Sequence, residues 1–239
     1  MTSVSMFTKA GLPALVSALA LAFAGSASAA SVTEGFETVT PTGWTTKNNS
    51  QPLGTTGWFQ GNTTVFDAQA GSATSYAGAN FNNTGSVGTI SNWLITPTWS
   101  FNNGDVVSFY TRTTDEGATV YPDRLELRFS ATGGTDVGAT ATSVGSFTTL
   151  LLSVNPNLGN EYPHDWAQYS VTLSGLSGPT NGALAFRYFV PNAGSLGDNS
   201  DYIGVDTFSV TAAVPEPSTY GLMALGLGVL LMRRKQKQG

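Results

Sequence analysis

Asp123-Arg124-Leu125-Glu126-Leu127-Arg128-Phe129-Ser130 alternates apolar and polar side chains. Leu125, Leu127 and Phe129 fall on one side of an extended chain and Arg124, Glu126 and Arg128 on the other, the period of two of a strand with one wet face. Working outward, Asp105–Thr113 (DVVSFYTRT) is a second clear strand, and Tyr169, Val171 and Leu173 repeat the alternation opposite Ser170, Thr172 and Ser174. Further strands are expected at Trp93–Thr96, Thr148–Val154, Ala183–Val190 and Tyr202–Thr211, with shorter ones at Val32–Phe36, Gly57–Gln60, Val65–Ala68 and Ala79–Asn82. Asn102-Asn103-Gly104, Thr132-Gly133-Gly134 and Asn181-Gly182 tolerate positive φ between apolar runs and read as chain reversals. Gly71 to Gly88 reads as a long polar connection. Many strands without sustained helical periodicity imply an all-β protein, a two-sheet antiparallel sandwich of jelly-roll type.

Both ends of the chain have a different texture. Lys9 precedes an apolar stretch from Leu12 to Phe23, and Ala27-Ser28-Ala29 supplies small residues for a signal peptidase, so residues 1–29 read as a secretory signal. At the other end, 214–239 joins Pro215-Glu216-Pro217 to an apolar run from Tyr220 to Met232 and a basic finish, Arg233-Arg234-Lys235-Gln236-Lys237. As a helix that run spans roughly 20 Å of a ~30 Å hydrocarbon layer, enough for transient retention at the inner membrane but short for a lasting anchor. The basic cluster sets its cytoplasmic side. What remains, 30–213, suits one β-sandwich domain.

Composition excludes several chemistries. Five of the ten basic residues but only one of the fifteen acids lie in the end segments, leaving fourteen acids against five bases in the body, a formal −9. Such a surface does not suit nucleic acid. There is no cysteine and one histidine, His164, so thiolate catalysis, cysteine-type zinc sites and multi-histidine centres are out. Nucleophile-elbow, zinc-protease and phosphate-loop motifs are absent from the body. Asp115, Glu116, Asp123 and Glu126 are close enough in sequence to suggest a glycosidase pair, but a surface ion pair of Glu126 with Arg128 accounts for Glu126 more simply. The chain therefore reads as a non-enzyme.

The C-terminal segment resembles the PEP-CTERM sorting tail of Gram-negative bacteria, with Pro215, Glu216, Pro217, Arg233 and Arg234 in the expected order. That resemblance implies recognition and cleavage by an exosortase, with release to the cell surface or extracellular matrix. In the body, Gly35-Phe36-Glu37, Pro41-x-Gly43-Trp44, Trp58, Asn92-Trp93-Leu94-Ile95-Thr96-Pro97, Ser108-Phe109-Tyr110-Thr111-Arg112 and Ile203-Gly204-Val205-Asp206-Thr207-Phe208 run in the order seen in choice-of-anchor J domains, relatives of the cleaved-adhesin and MAM sandwiches. The resemblance implies a surface-associated jelly roll with adhesion or matrix roles, and a structural Ca²⁺ near Glu37 and Asp206, completed by carbonyls and Asp201 or Glu34. Trp44, Trp58, Trp93 and Trp99 are expected in the core. Tyr76, Tyr121, Tyr162 and Trp166, in loop-like sequence, are candidates to stack on sugar rings, with Trp166, Tyr162 and Tyr121 foremost. The leading function is thus an exported adhesion or exopolysaccharide-associated protein. The alternatives are a calcium-supported carbohydrate-binding module and, behind it, a glycan-cleaving enzyme.

Overall fold

The computed structural model describes residues 31–115, 117 and 119–213. The expected signal segment at 1–29 and the tail at 214–239, with Pro215, Glu216, Pro217, Arg233 and Arg234, lie outside the described residues, as does Glu116. Among those described, no helix is long and apolar enough to cross a membrane.

Among the described residues thirteen strands follow one another: β1 Val32–Glu34, β2 Thr45–Asn48, β3 Gln51–Leu53, β4 Phe59–Gln60, β5 Ala77–Asn80, β6 Thr84–Ile95, β7 Trp99–Phe101, β8 Val106–Thr113, β9 Leu125–Ser130, β10 Thr149–Val154, β11 Ala167–Thr172, β12 Thr180–Ala193 and β13 Tyr202–Thr211. One 3-10 turn, Phe81–Asn83, separates β5 from β6. Sheet one runs β11-β8-β13-β5-β4, with β1 on β13; sheet two runs β10-β9-β12-β6-β2, with β3 on β6 and β7 on β12. Every pair of named strands is antiparallel. The first strand pairs with the last, Val32 opposite Val210, so both ends of the described chain leave the sandwich together.

The inward alternation holds where the sequence shows it. Leu125, Leu127 and Phe129 are buried, as are Val107 and Phe109 of β8 and Phe208 of β13. Phe186 of β12 joins the layers edge-to-face, 4.9 Å from Phe109 and 5.7 Å from Phe208 between ring centroids. Each such ring contributes about 1.5–3 kcal/mol by leaving water. Trp44, Trp58 and Trp93 are buried and Trp99 is half-buried against the core.

Four expectations need correction. The outer face of β9 is not wet: Glu126 is 6% exposed, because residues 131–148 fold over sheet two and seat Val137 and Phe147 on Trp93, Ile95, Ala183 and Ala185. Asn181-Gly182 is no reversal but the start of β12, pairing with β7. A Cβ on Gly182 would stand 2.4 Å from the Phe129 ring, so this glycine serves close approach. Val65–Ala68 forms no strand: Val65 and Phe66 donate backbone N–H groups to Asn62 O in a turn. Gly71 to Gly88 is a connection only in part, since it holds β5 and the first half of β6.

Candidate functional site

Strand β13 carries an irregularity that aims a carboxylate. Its register with β8 shifts between Asp206 and Ser209, and Thr207 sits at φ 46°, a region β-branched residues avoid. Asp206 is turned inside and fully buried. Its Oδ2 accepts the N–H groups of Gln69 at 2.8 Å and Ala70 at 3.1 Å, and Oδ1 accepts that of Thr207 at 2.5 Å. Thr207 Oγ1 donates to Gln69 Oε1 at 2.7 Å. Burial raises the Asp206 carboxyl above the usual range, and these N–H donors only partly offset it.

Glu37 approaches the same loop from the other chain end, just after Phe36 at φ 50°. Its Oε2 accepts Ser72 Oγ at 3.0 Å, and the hydroxyls of Ser75 and Ser72 hold its carboxyl below the usual range. Glu34, Glu37, Gly71 and Thr207 border one cleft of about 240 Å³. The expected pair therefore converges through the loop at 69–72. Asp201 does not join it: it lies just before β13, five residues ahead of Asp206, about 17 Å along the extended chain. Among the described residues no group of three or more His, Asp or Glu side chains is gathered as a metal site. Asp206 spends three of about four lone-pair positions on N–H donors, so it could give a cation at most one oxygen.

A second carboxylate, which the sequence offered only as a member of a glycosidase pair, ties the opposite region. Asp123 is buried just before β9; its Oδ1 accepts the Tyr188 hydroxyl and the Asp201 N–H (the latter at 3.0 Å), and Oδ2 lies 2.7 Å from Thr113 Oγ1. Thr113 Oγ1 also lies 2.9 Å from Tyr202 O. One hydroxyl hydrogen cannot point fully at both acceptors, and a protonated Asp123 would relieve the competition. Burial pushes its carboxyl up in the same direction. The only cue in sequence is an acid directly before an alternating strand. Asp123 shares the inward parity of Leu125 and Leu127, whereas Glu126 lies on the outer face. The two cannot flank one glycosidic bond.

The aromatic candidates scatter. Tyr162 is buried, not displayed: Thr111 Oγ1 donates to Gly204 O at 2.6 Å, so the Tyr162 hydroxyl donates to Thr111 Oγ1 at 2.7 Å. Tyr76 is buried too, its hydroxyl 3.0 Å from that of Tyr202. Trp166 is half-buried, its Nε1 spent on Asp67 O at 2.9 Å and its rings edge-on to Phe66 and Tyr76. The loop-like sequence around these residues lacks a period, so it could not tell covering from display. Of the four, Tyr121 alone is exposed, 41%, on a cleft of about 300 Å³ with Phe81, Gly194, Ser195 and Asp201. Asp201 accepts the Thr114 hydroxyl, and His164 Nδ1 contacts Thr114 O at 2.6 Å beside it.

Comparison with known proteins adds two findings. Residues 213–235 match the PEP-CTERM protein-sorting motif. The chain is similar in structure to the K1 cleaved adhesin domain of Lys-gingipain from Porphyromonas gingivalis W83, with TM-score 0.52 and 23% identity over 77% of this chain and 99% of that one. It is also similar to the K2 cleaved adhesin domain of Lys-gingipain, with TM-score 0.51 and 21% identity over 76% and 99%. At these identities the likeness establishes a shared sandwich fold. No curated protein matches the chain.

Proposed function

We propose that this chain is an exported, non-catalytic β-sandwich of the choice-of-anchor J type, sorted and trimmed by an exosortase and acting at the cell surface or in the extracellular matrix, in adhesion or in association with exopolysaccharide. One observation carries the reading: the matched sorting motif begins at residue 213, two residues beyond the end of β13 at Thr211. A tail attached there can be cut away without breaking a strand pair. The secretory signal meets the fold at the same place, because β1 lies against β13. Mass spectrometry of the protein isolated from its cells tests this. We expect an N-terminus near residue 30 and a C-terminus near Pro215–Pro217. Chains that keep Arg233 and Arg234 and stay in the inner membrane would overturn it.

A carbohydrate-binding role has one observation in its favour, the Tyr121 ring standing on an open cleft. Retention on immobilised polysaccharide that Tyr121→Ala abolishes and Trp166→Ala does not would support it.

Calcium enters the reading as a clamp on the loop at 69–72, held by Glu37 and one oxygen of Asp206. It is supported by the positive φ beside each acid and by a buried Asp206 carboxylate with no ion pair among the described residues. Chelator is expected to lower Tm by several degrees and added Ca²⁺ to restore it, with the response gone in Glu37→Gln. An unchanged Tm removes the ion.

A further inference from the structure

The edge of a sheet offers unpaired N–H and C=O groups to any strand that arrives, and proteins blunt edges by shortness, charge, proline, bulges or cover. Nearly every edge here carries such a device. β4 has two residues, and β1 and β7 have three each. β3 contains Pro52. β2 carries Lys47, whose Nζ reaches across to Gly138 O at 3.4 Å, within the cover over sheet two. β10 bulges between Leu150 and Leu152.

β11 has none of these. It is the terminal strand of sheet one, six residues in unbroken register with β8 from Ala167 opposite Thr111 to Thr172 opposite Val106. Ala167, Tyr169 and Val171 are half-buried while Gln168, Ser170 and Thr172 are exposed. Among the described residues, no backbone hydrogen bond reaches its outer edge. The strand lies in a stretch, 166–186, without a single Asp, Glu, Lys or Arg, within a body otherwise rich in acids.

We propose that β11 is a self-association edge: two copies of the chain pair β11 against β11, antiparallel, about a two-fold axis at Ser170, so that sheet one continues from one copy into the other. An axis perpendicular to the sheet keeps inner faces inner and makes the contact isologous. Centred on Ser170, it sets Tyr169 opposite Val171 twice, Gln168 opposite Thr172 twice, and Ser170 opposite itself. Aromatic with β-branched is a favourable cross-strand pair, and no like charges meet. Elsewhere the acidic surfaces of two copies repel, so the neutral edge is where they can approach. The contact is small and belongs to the weak class of interfaces, effective where the protein is locally concentrated.

Sedimentation equilibrium of the exported protein, purified without detergent, tests this. A reversible monomer–dimer equilibrium is expected, weakened at least tenfold by Ser170→Lys and by Ser170→Glu alone, and restored when the two variants are mixed. Unchanged far-UV circular dichroism and Tm show that the variants fold. Leu196→Lys, at an exposed apolar residue away from β11, is expected to leave the equilibrium unchanged. A native protein that stays monomeric to about 1 mM, variants that dimerise as well as the native chain, a mixture that fails to recover, or a loss of dimer in Leu196→Lys each overturns the proposal.

Discussion

The two outer faces of the sandwich are both covered by excursions of the chain, but they are held down by opposite chemistry. Over sheet two, residues 131–148 close on a buried cation. Arg187 is 1% exposed, yet its Nη1 meets Glu126 Oε2 at 3.2 Å, its Nε donates to Ser91 Oγ at 3.1 Å, and its Nη2 donates to Ala141 O and Ser143 O in the cover itself. Its guanidinium also lies 3.6 Å from the centroid of Phe189 and 4.8 Å from that of Trp93. Glu126 is shared with Arg128 Nε at 2.7 Å. Over sheet one, the chain around 61–76 is held by rings: Phe66, Tyr76, Tyr202 and Trp166 pack together above Gly204, with tyrosine hydroxyls satisfying one another. Rings tolerate substitution in proportion to area lost. A buried ion group does not, because removing one member strands the other.

The largest effect should therefore come from Arg187→Ala, which leaves Glu126 buried with one partner and two cover carbonyls unmet, at about 3–5 kcal/mol by urea denaturation. Replacing Arg187 by Met and Glu126 by Leu together should cost less than Arg187→Ala, since the one charge left without its carboxylate, Arg128, is 12% exposed and keeps the Phe147 carbonyl; a larger cost would mean the ion group itself stabilises the cover. Burial lowers the Arg187 pKa to about 10, so it stays charged at neutral pH. On the other face, Gly204→Ala places a methyl 2.7 Å from Trp166 and 2.9 Å from Phe66, and we expect about 1–3 kcal/mol of overpacking. Trp166→Ala in the same chain should relieve part of it, which a double-mutant cycle reads out. Tyr76→Phe removes one hydroxyl, and about 1 kcal/mol should be lost.

The smallest expected effect lies in the core between these faces. Because Asp123 and Asp206 have raised pKa values when folded, the fold holds more protons than the unfolded chain between the unfolded and folded pKa values. Their contribution is full below about pH 3.8 and is lost as pH rises through that window. Asp123→Asn keeps an acceptor for Tyr188 and Asp201 N–H and gives Thr113 a donor, so stability near pH 7 should stay level or rise slightly. A flatter pH profile above pH 4 is the readout, and a loss of several kcal/mol would show that the ionised carboxylate is the native form.

How much of this was legible in the sequence varies by element. β8, β9, β11 and β13 were readable because their inner positions are apolar and alternate with polar ones. β2 and β3 (Thr45–Asn48 and Gln51–Leu53) were not, since short polar edge strands have no apolar period. At the site, Glu37 and Asp206 were paired through a resemblance and through the closeness of chain ends, whereas the placing of Asp201 with them ignored the length of strand between. Arg187 was passed over, although a lone charge in Ala183-Leu184-Ala185-Phe186-Arg187-Tyr188-Phe189 is a visible cue: small Ala183 and Ala185 on its face leave room for a cover.

By itself, the sequence determined an exported, cysteine-free protein of alternating strands with a sorting motif at its C-terminal end, because periodicity, charge and short motifs are local properties. Which faces stay wet was decided only by the tertiary structure. Alternation says that Glu126 and Leu127 point opposite ways; it cannot say that Phe147, some twenty residues on, will come back to close the polar side, since that depends on where a long connection finds surface to bury.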